Sequence, residues 1–211
     1  MPERNSDWIA AFRALQIGEV YYLTSLVNLD SILTAGILPQ EEVVKRGLLH
    51  EDISEPSVQR RRDAKGLHTV VPLYYARKTP MSYVRRDRNT DLCILVLTVA
   101  AVCQQAERLF FTDGNGASED THAYSDSEQL ADNLPLEVIR AEFWHHWPEG
   151  RRRRCAELLV YPRVPASTIK QVEVFSPEGR TVGHAAIERA RSAQPIDWTC
   201  RCVVKRDSFI I

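Results

Sequence analysis

A single carboxylate, Glu157, stands where four consecutive arginines, Arg151 to Arg154, run into a short apolar segment. Leu158, Leu159, Val160 and Tyr161 have the length and residue types of a buried strand, stopped by Pro162 and Pro165. An acid at the mouth of such a strand is fixed by the sheet and faces whatever the preceding loop encloses. Residue types alone leave two readings open. Glu157 is either a strand-end acid paired with one of its neighbouring arginines, or a fixed charge in a functional site.

The surrounding pattern interleaves strands and short helices. Trp8, Ile9, Phe12 and Leu15 recur at helical spacing within Asp7 to Gln16. Val20 to Thr24 reads as a strand, followed by a helix through Leu29, Ile32 and Leu33, with Ser25 or Asn28 as its cap and Gly36 as its stop. Residues 40–66 are polar and irregular in pattern, either a surface segment or a lid. Leu67 to Tyr75 is strand-like, with Pro72 implying an edge or a bulge. Pro80 opens a short helix, and Leu92 to Val99, the most apolar run, predicts a central strand. A turn is expected at Gln104 to Ala106, a strand at Leu109 to Thr112 and a turn at Asp113 to Gly116. After a polar stretch, 117–154, come the Glu157 strand, a strand from Ile169 to Phe175, a helix from Val182 to Ala193 and a β-type closing segment, Trp198 to Val204. The pattern lacks the regular alternation of a doubly wound fold and predicts one domain over residues 1–211.

Charge excludes some functions and leaves others. The formal net charge is −1, so global charge does not argue for nucleic acid. Basic residues nevertheless cluster at Arg60 to Arg62, at Arg85, Arg86 and Arg88, and at Arg151 to Arg154, patches able to steer a polyanion. Five cysteines, without a Cys-x-x-Cys pair, fit a reducing cytoplasm, and no apolar run is long enough to span a bilayer. The adjacent His145 and His146 would point to different helix faces, so no metal is expected. No Gly-x-Gly-x-x-Gly or phosphate-loop motif is present.

An anchored carboxylate, several arginines and aromatic residues after strands suit cleavage of a sugar–base bond. The carboxylate would stabilise oxocarbenium character on the ribose. Arginines would bind pyrophosphate in bidentate fashion, and aromatic rings would stack on nicotinamide or on an extruded base.

Five blocks in order also resemble the DarT family of toxin ADP-ribosyltransferases. They are Tyr21 to Leu29 with Ile32, Leu33 and Gly36; Ile53 with Val58 to Arg61; Val71 to Tyr75 with Thr79-Pro80-Met81; Phe111 to Asn115; and Ala156 to Val160. The chain departs from many relatives in carrying Tyr22 and Ser25 where they have histidines. The resemblance implies an α+β fold with a split antiparallel β core and peripheral helices. It implies transfer of ADP-ribose from NAD onto a nucleobase, thymidine, of single-stranded DNA, with release of nicotinamide and without metal. Glu157 would be the catalytic acid and Arg61 the catalytic arginine, chosen from three in succession. Tyr22, Leu23 and Thr24 would position nicotinamide, with Arg61 and Met81 also on NAD, while Tyr74 and Tyr75 read as core. Arg151, Arg152, Arg153 and Arg154 would meet the nucleic-acid backbone. A toxin of this kind implies a neutralising antitoxin, a macrodomain ADP-ribosylglycohydrolase, and a cytoplasmic location. Rival readings change the acceptor to another base, to RNA or to protein, or make the chain an inactive relative or a plain binding module.

Overall fold

The computed structural model describes residues 5–48, 51–193 and 198–211. Its centre is a sheet of eight strands: β1 (Glu19–Ser25), β2 (Val71–Tyr74), β3 (Leu92–Thr98), β4 (Arg108–Thr112), β5 (Ala123–Tyr124), β6 (Glu157–Tyr161), β7 (Ile169–Val174) and β8 (Arg201–Val204). The strand order is β5-β4-β6-β2-β1-β3-β7-β8, antiparallel throughout except for the β7–β8 pair. The helices are α1 (Asn5–Ala14), α2 (Leu29–Ala35), α3 (Gln40–Lys45), α4 (Pro56–Ala64), α5 (Pro80–Val84), α6 (Val99–Gln105), α7 (Leu130–Asn133), α8 (Leu136–Arg140), α9 (Gly150–Arg153) and α10 (Pro177–Ala193). This is the mixed architecture with peripheral helices that the resemblance implies.

The unbroken apolar run of β3 follows from burial on both faces. Cys93, Leu95 and Leu97 join the larger core with Trp8, Phe12, Val172, Ile187 and Ala190. Leu92, Ile94 and Val96 join a smaller one with Tyr21, Leu23, Ile53 and Phe209. A strand buried on both sides has no polar face to alternate with.

The sheet is split between β1 and β2. β1 pairs with β3 at seven positions, and β2 with β6 at four, but β1 and β2 share only Tyr21↔Tyr74. Beyond that pair the strands diverge toward Thr24 and Pro72. Beside it Arg77 stitches the sheet together. Its guanidinium donates to Tyr21 Oη (2.9 Å), Glu19 Oε2 (2.9 Å) and the buried Glu173 Oε2 (3.1 Å). A cleft therefore opens in the middle of the sheet.

Several expectations change. Pro72 does not mark an edge: β2 is an interior strand, and the proline sits beside the split, where no β1 ladder needs its missing N–H. Gln104 and Gln105 end helix α6 instead of forming a turn, because Val99, Val102 and Cys103 are buried at helical spacing. Neither Ser25 nor Asn28 caps α2 through its side chain. The Asn28 amide instead donates to Thr24 Oγ1 and Glu51 O, both at 2.9 Å, and accepts from Glu51 N at 3.0 Å, tying a distant segment to β1. Gly36 does terminate α2, at φ 84°. Among the described residues no helix is long and apolar enough to cross a membrane.

Candidate active site

The split holds a cavity of about 640 Å³, within the usual range for a small-molecule site. Tyr22, Leu23 and Thr24 line it from β1, Pro72 and Tyr74 from β2, Met81 from α5, and Glu157 from the first position of β6. Arg61 and Arg62 line it from α4, and Arg151 and Arg152 from α9.

Glu157 is 1% exposed. Its backbone N–H donates to Thr112 Oγ1 (2.9 Å), and that hydroxyl donates to Gly114 O (2.7 Å), so the end of β4 fixes the start of β6. Both carboxylate oxygens accept from one nitrogen, Nη1 of Arg62, at 2.9 and 3.0 Å. The partner of Glu157 is thus an arginine ninety-five residues away, not one of the four that precede it.

Register on α4 decides which arginine arrives. Successive helical residues diverge by about 100°, while positions four apart share a face. Arg62 follows the half-buried, cleft-lining Val58 by one turn and is itself buried. Arg61 is turned away and exposed, although it still borders the cavity. Sequence reasoning selected Arg61; the pattern that points to Arg62 is the spacing from Val58. Burial pulls the Arg62 pKa down, but the charge and hydrogen bonds of Glu157, together with the Tyr74 and Tyr22 hydroxyls, outweigh it and leave the pKa raised above the ordinary value. A guanidinium held in that way is a cation and not a proton acceptor. Its Nη2 is buried with no partner among the described residues. Such an orphan donor is costly unless a ligand supplies an acceptor.

Uncharged side chains stand around the pair. Burial, with Asp52 nearby, pushes the Tyr22 hydroxyl up to about 12. Burial and then Glu157 raise Tyr74 well above the ordinary range, and its hydroxyl lies 3.8 Å from Met81 Sδ. Burial, then Glu157, pushes the Cys155 thiol in the cleft wall up to about 12, so it is no nucleophile at neutral pH. Thr24 is buried and its hydroxyl is engaged by Asn28.

The four arginines before Glu157 separate. Arg152 donates to Asp113 Oδ1 (3.0 Å), Thr121 Oγ1 (3.2 Å) and Glu149 Oε2 (3.1 Å), clasping the two ends of segment 113–152. Arg153 pairs with Glu137. Arg154 is buried, its guanidinium donating to the carbonyls of Lys78, Val138, Ile139 and Ala141. From that position it does not reach a nucleic-acid backbone, contrary to the sequence expectation. Arg151 alone of the four is exposed and makes no hydrogen bond or ion pair with the described residues.

Gly116 is a site residue that sequence reasoning missed, although it ends a Gly-x-Gly turn after β4. A Cβ on it would stand 2.8 Å from Glu157 Oε2 and 3.1 Å from Leu67 Cδ1. Gly116→Ala is expected to shift the carboxylate and lower kcat by about 10²-fold, the scale of a displacement near 1 Å. Nicotinamide release, measured beside a thermal melt, checks this.

Residues 21–199 match the DarT family, described as ssDNA thymidine ADP-ribosyltransferase. The chain belongs to the DarT family. It is therefore an NAD-dependent DNA ADP-ribosyltransferase. A DNA ADP-ribosyl transferase of Thermus sp. (strain 2.9) is 30% identical over 174 residues, 74% of this chain and 81% of the relative. A fusion of DNA ADP-ribosyl transferase with DNA ADP-ribosyl glycohydrolase from Thermosipho africanus is 28% identical over 169 residues, covering 76% of this chain and 43% of the fusion. The solved structure of Thermus sp. 2.9 DarT in complex with ADP-ribosylated ssDNA superposes with a TM-score of 0.80 at 24% identity, over 92% of this chain and 97% of that one. At that identity the superposition speaks to the fold.

Proposed function

We propose that this DarT chain acts as a single domain in which Glu157 and Arg62 carry the transfer of ADP-ribose from NAD to thymidine in single-stranded DNA. The observation that supports this assignment is the buried Glu157–Arg62 pair in the cleft, level with the Tyr21–Tyr74 pair where the split begins, with Arg62 Nη2 lacking an acceptor among the described residues. Glu157 binds the nicotinamide-ribose hydroxyls and stabilises positive charge on the ribose as the bond to nicotinamide breaks. Arg62 holds that carboxylate and offers Nη2 to a phosphate or ribose oxygen of NAD. Tyr22, Leu23 and Thr24 form the floor against nicotinamide, with Met81 on the opposite wall. Arg61 and Arg151, both exposed at the cavity, serve the pyrophosphate and the DNA backbone.

Incubation with NAD and single-stranded oligonucleotides of each base composition tests the reading, with Glu157→Gln as control. Modification confined to thymidine-containing strands is the expected result; an unmodified set of strands refutes it. Such activity is toxic, and the fused glycohydrolase of the Thermosipho relative supports a macrodomain-type glycohydrolase as this chain's antitoxin, with both acting in the cytoplasm. Co-expression of a DNA ADP-ribosyl glycohydrolase is expected to rescue growth.

A further inference from the structure

Among the described residues, three large aromatic rings are exposed: Tyr83 (47%), Phe143 (53%) and Trp147 (37%). None of the three lines the cavity itself, but each lies in a segment that leads into its lining. Tyr83 sits on α5 between the cleft-lining Met81 and Val84. Phe143 and Trp147 sit in the turn between α8 and α9, two residues or more ahead of the cleft-lining Glu149 and Arg151. Scattered exposed apolar residues need no explanation, but large exposed aromatic rings that all fall in segments flanking one cleft do.

The turn is braced from below. Trp147 N–H donates to Trp144 O (3.2 Å), and Gly150 N–H to Trp147 O (2.9 Å). The Arg154 guanidinium lies 5.7 Å from the Trp144 ring centre while bonding the carbonyls of Val138, Ile139 and Ala141. Its Nε also bonds Lys78 O at 2.8 Å, just ahead of α5. One buried cation thus holds both aromatic rims in place. It has no acidic partner among the described residues, and burial lowers its pKa. Cations accompany the rings: the Arg86 guanidinium lies 4.2 Å from the Tyr83 ring centre, and Arg151 has no partner among the described residues. The His145 and His146 rings lie 4.0 Å apart beside Phe143.

We propose that Phe143 and Trp147 on one rim, with Tyr83 on the other, form a stacking platform for the bases that flank the target nucleotide on the single strand. This rests on the reading of the cleft as the place where a single strand is modified. Unpaired bases stack on aromatic faces without regard to sequence, and nearby arginines follow the backbone. The rings extend the cleft outward, so a strand that delivers one base inside lays its neighbours across them. Arg154 acts here as a positioning residue, out of contact with the strand.

The test measures binding without NAD, so that no transfer occurs. A fluorescein-labelled oligothymidylate is titrated with wild type, with the Phe143→Ala/Trp147→Ala double variant and with Tyr83→Ala. The double variant is expected to bind about tenfold more weakly or worse, from the usual worth of a base–aromatic stack, and Tyr83→Ala measurably more weakly. If the double variant fails to fold, the conservative Trp147→Phe serves: an unlabelled strand should quench tryptophan emission in wild type and much less in Trp147→Phe. Equal affinity of the alanine variants, quenching independent of Trp147, or no binding by wild type overturns the platform. Aromatic-dependent binding without transfer when NAD is added would instead overturn the functional reading and leave the platform standing.

Discussion

Glu157→Gln is expected to lower ADP-ribosyl transfer by at least about 10²–10³-fold while leaving the cleft open to NAD. Glutamine keeps the shape and one acceptor oxygen. It cannot place a negative charge beside a ribose that develops positive charge when the bond to nicotinamide weakens. The same change leaves the buried Arg62 guanidinium without its counter-charge, and breaking a buried pair in this way costs about 3–5 kcal/mol. Two readouts separate these effects. A chemical denaturation curve reports the lost stability. Nicotinamide release under conditions where the variant is fully folded reports the chemistry. A folded Glu157→Gln protein with near wild-type turnover would remove Glu157 from the mechanism.

Arg62 and Arg61 are expected to behave differently, although they are neighbours in sequence. Arg62→Ala deprives Glu157 of both of its close charged hydrogen bonds and is expected to lower kcat by about 10²–10³-fold. Arg62→Lys restores the charge but not the planar fork that leaves Nη2 free for a second acceptor, so its rescue should be partial. Arg61→Ala removes an exposed charge at the cavity wall and should raise the KM for NAD with little change in kcat. The added salt that screens exposed charges should narrow the gap between Arg61→Ala and wild type, and should barely affect the gap for Arg62→Ala. Steady-state kinetics of the three variants at two ionic strengths decide the matter. A kcat collapse in Arg61→Ala with Arg62→Ala near wild type would reverse the assignment.

Both expectations turn on one feature of the fold. Glu157 and Arg62 are brought together because β2 pairs fully with β6 on one side and scarcely with β1 on the other. α4 comes down over the opening, and its one buried arginine enters it. Thr112 and Gly116 then set the carboxylate from the β4 side, one through its hydroxyl and one by having no side chain.

The sequence by itself determined the apolar strands, the central place of the run from Leu92 to Val99, the position of Glu157 at a strand mouth and the order of the five family blocks. These are local signals: residue type, spacing and stop residues. Only the tertiary structure decided which arginine meets Glu157, because helix register and the approach of α4 are set by packing against distant strands. It alone decided that Pro72 lies beside an internal split, since an edge and a gap within a sheet make the same demand on a missing N–H. It alone resolved four adjacent arginines into one exposed cation, two ion-paired ones and one buried brace. The three partnered fates depend on Asp113, Glu137 and the carbonyls of Val138, Ile139 and Ala141, all of which lie outside the run itself.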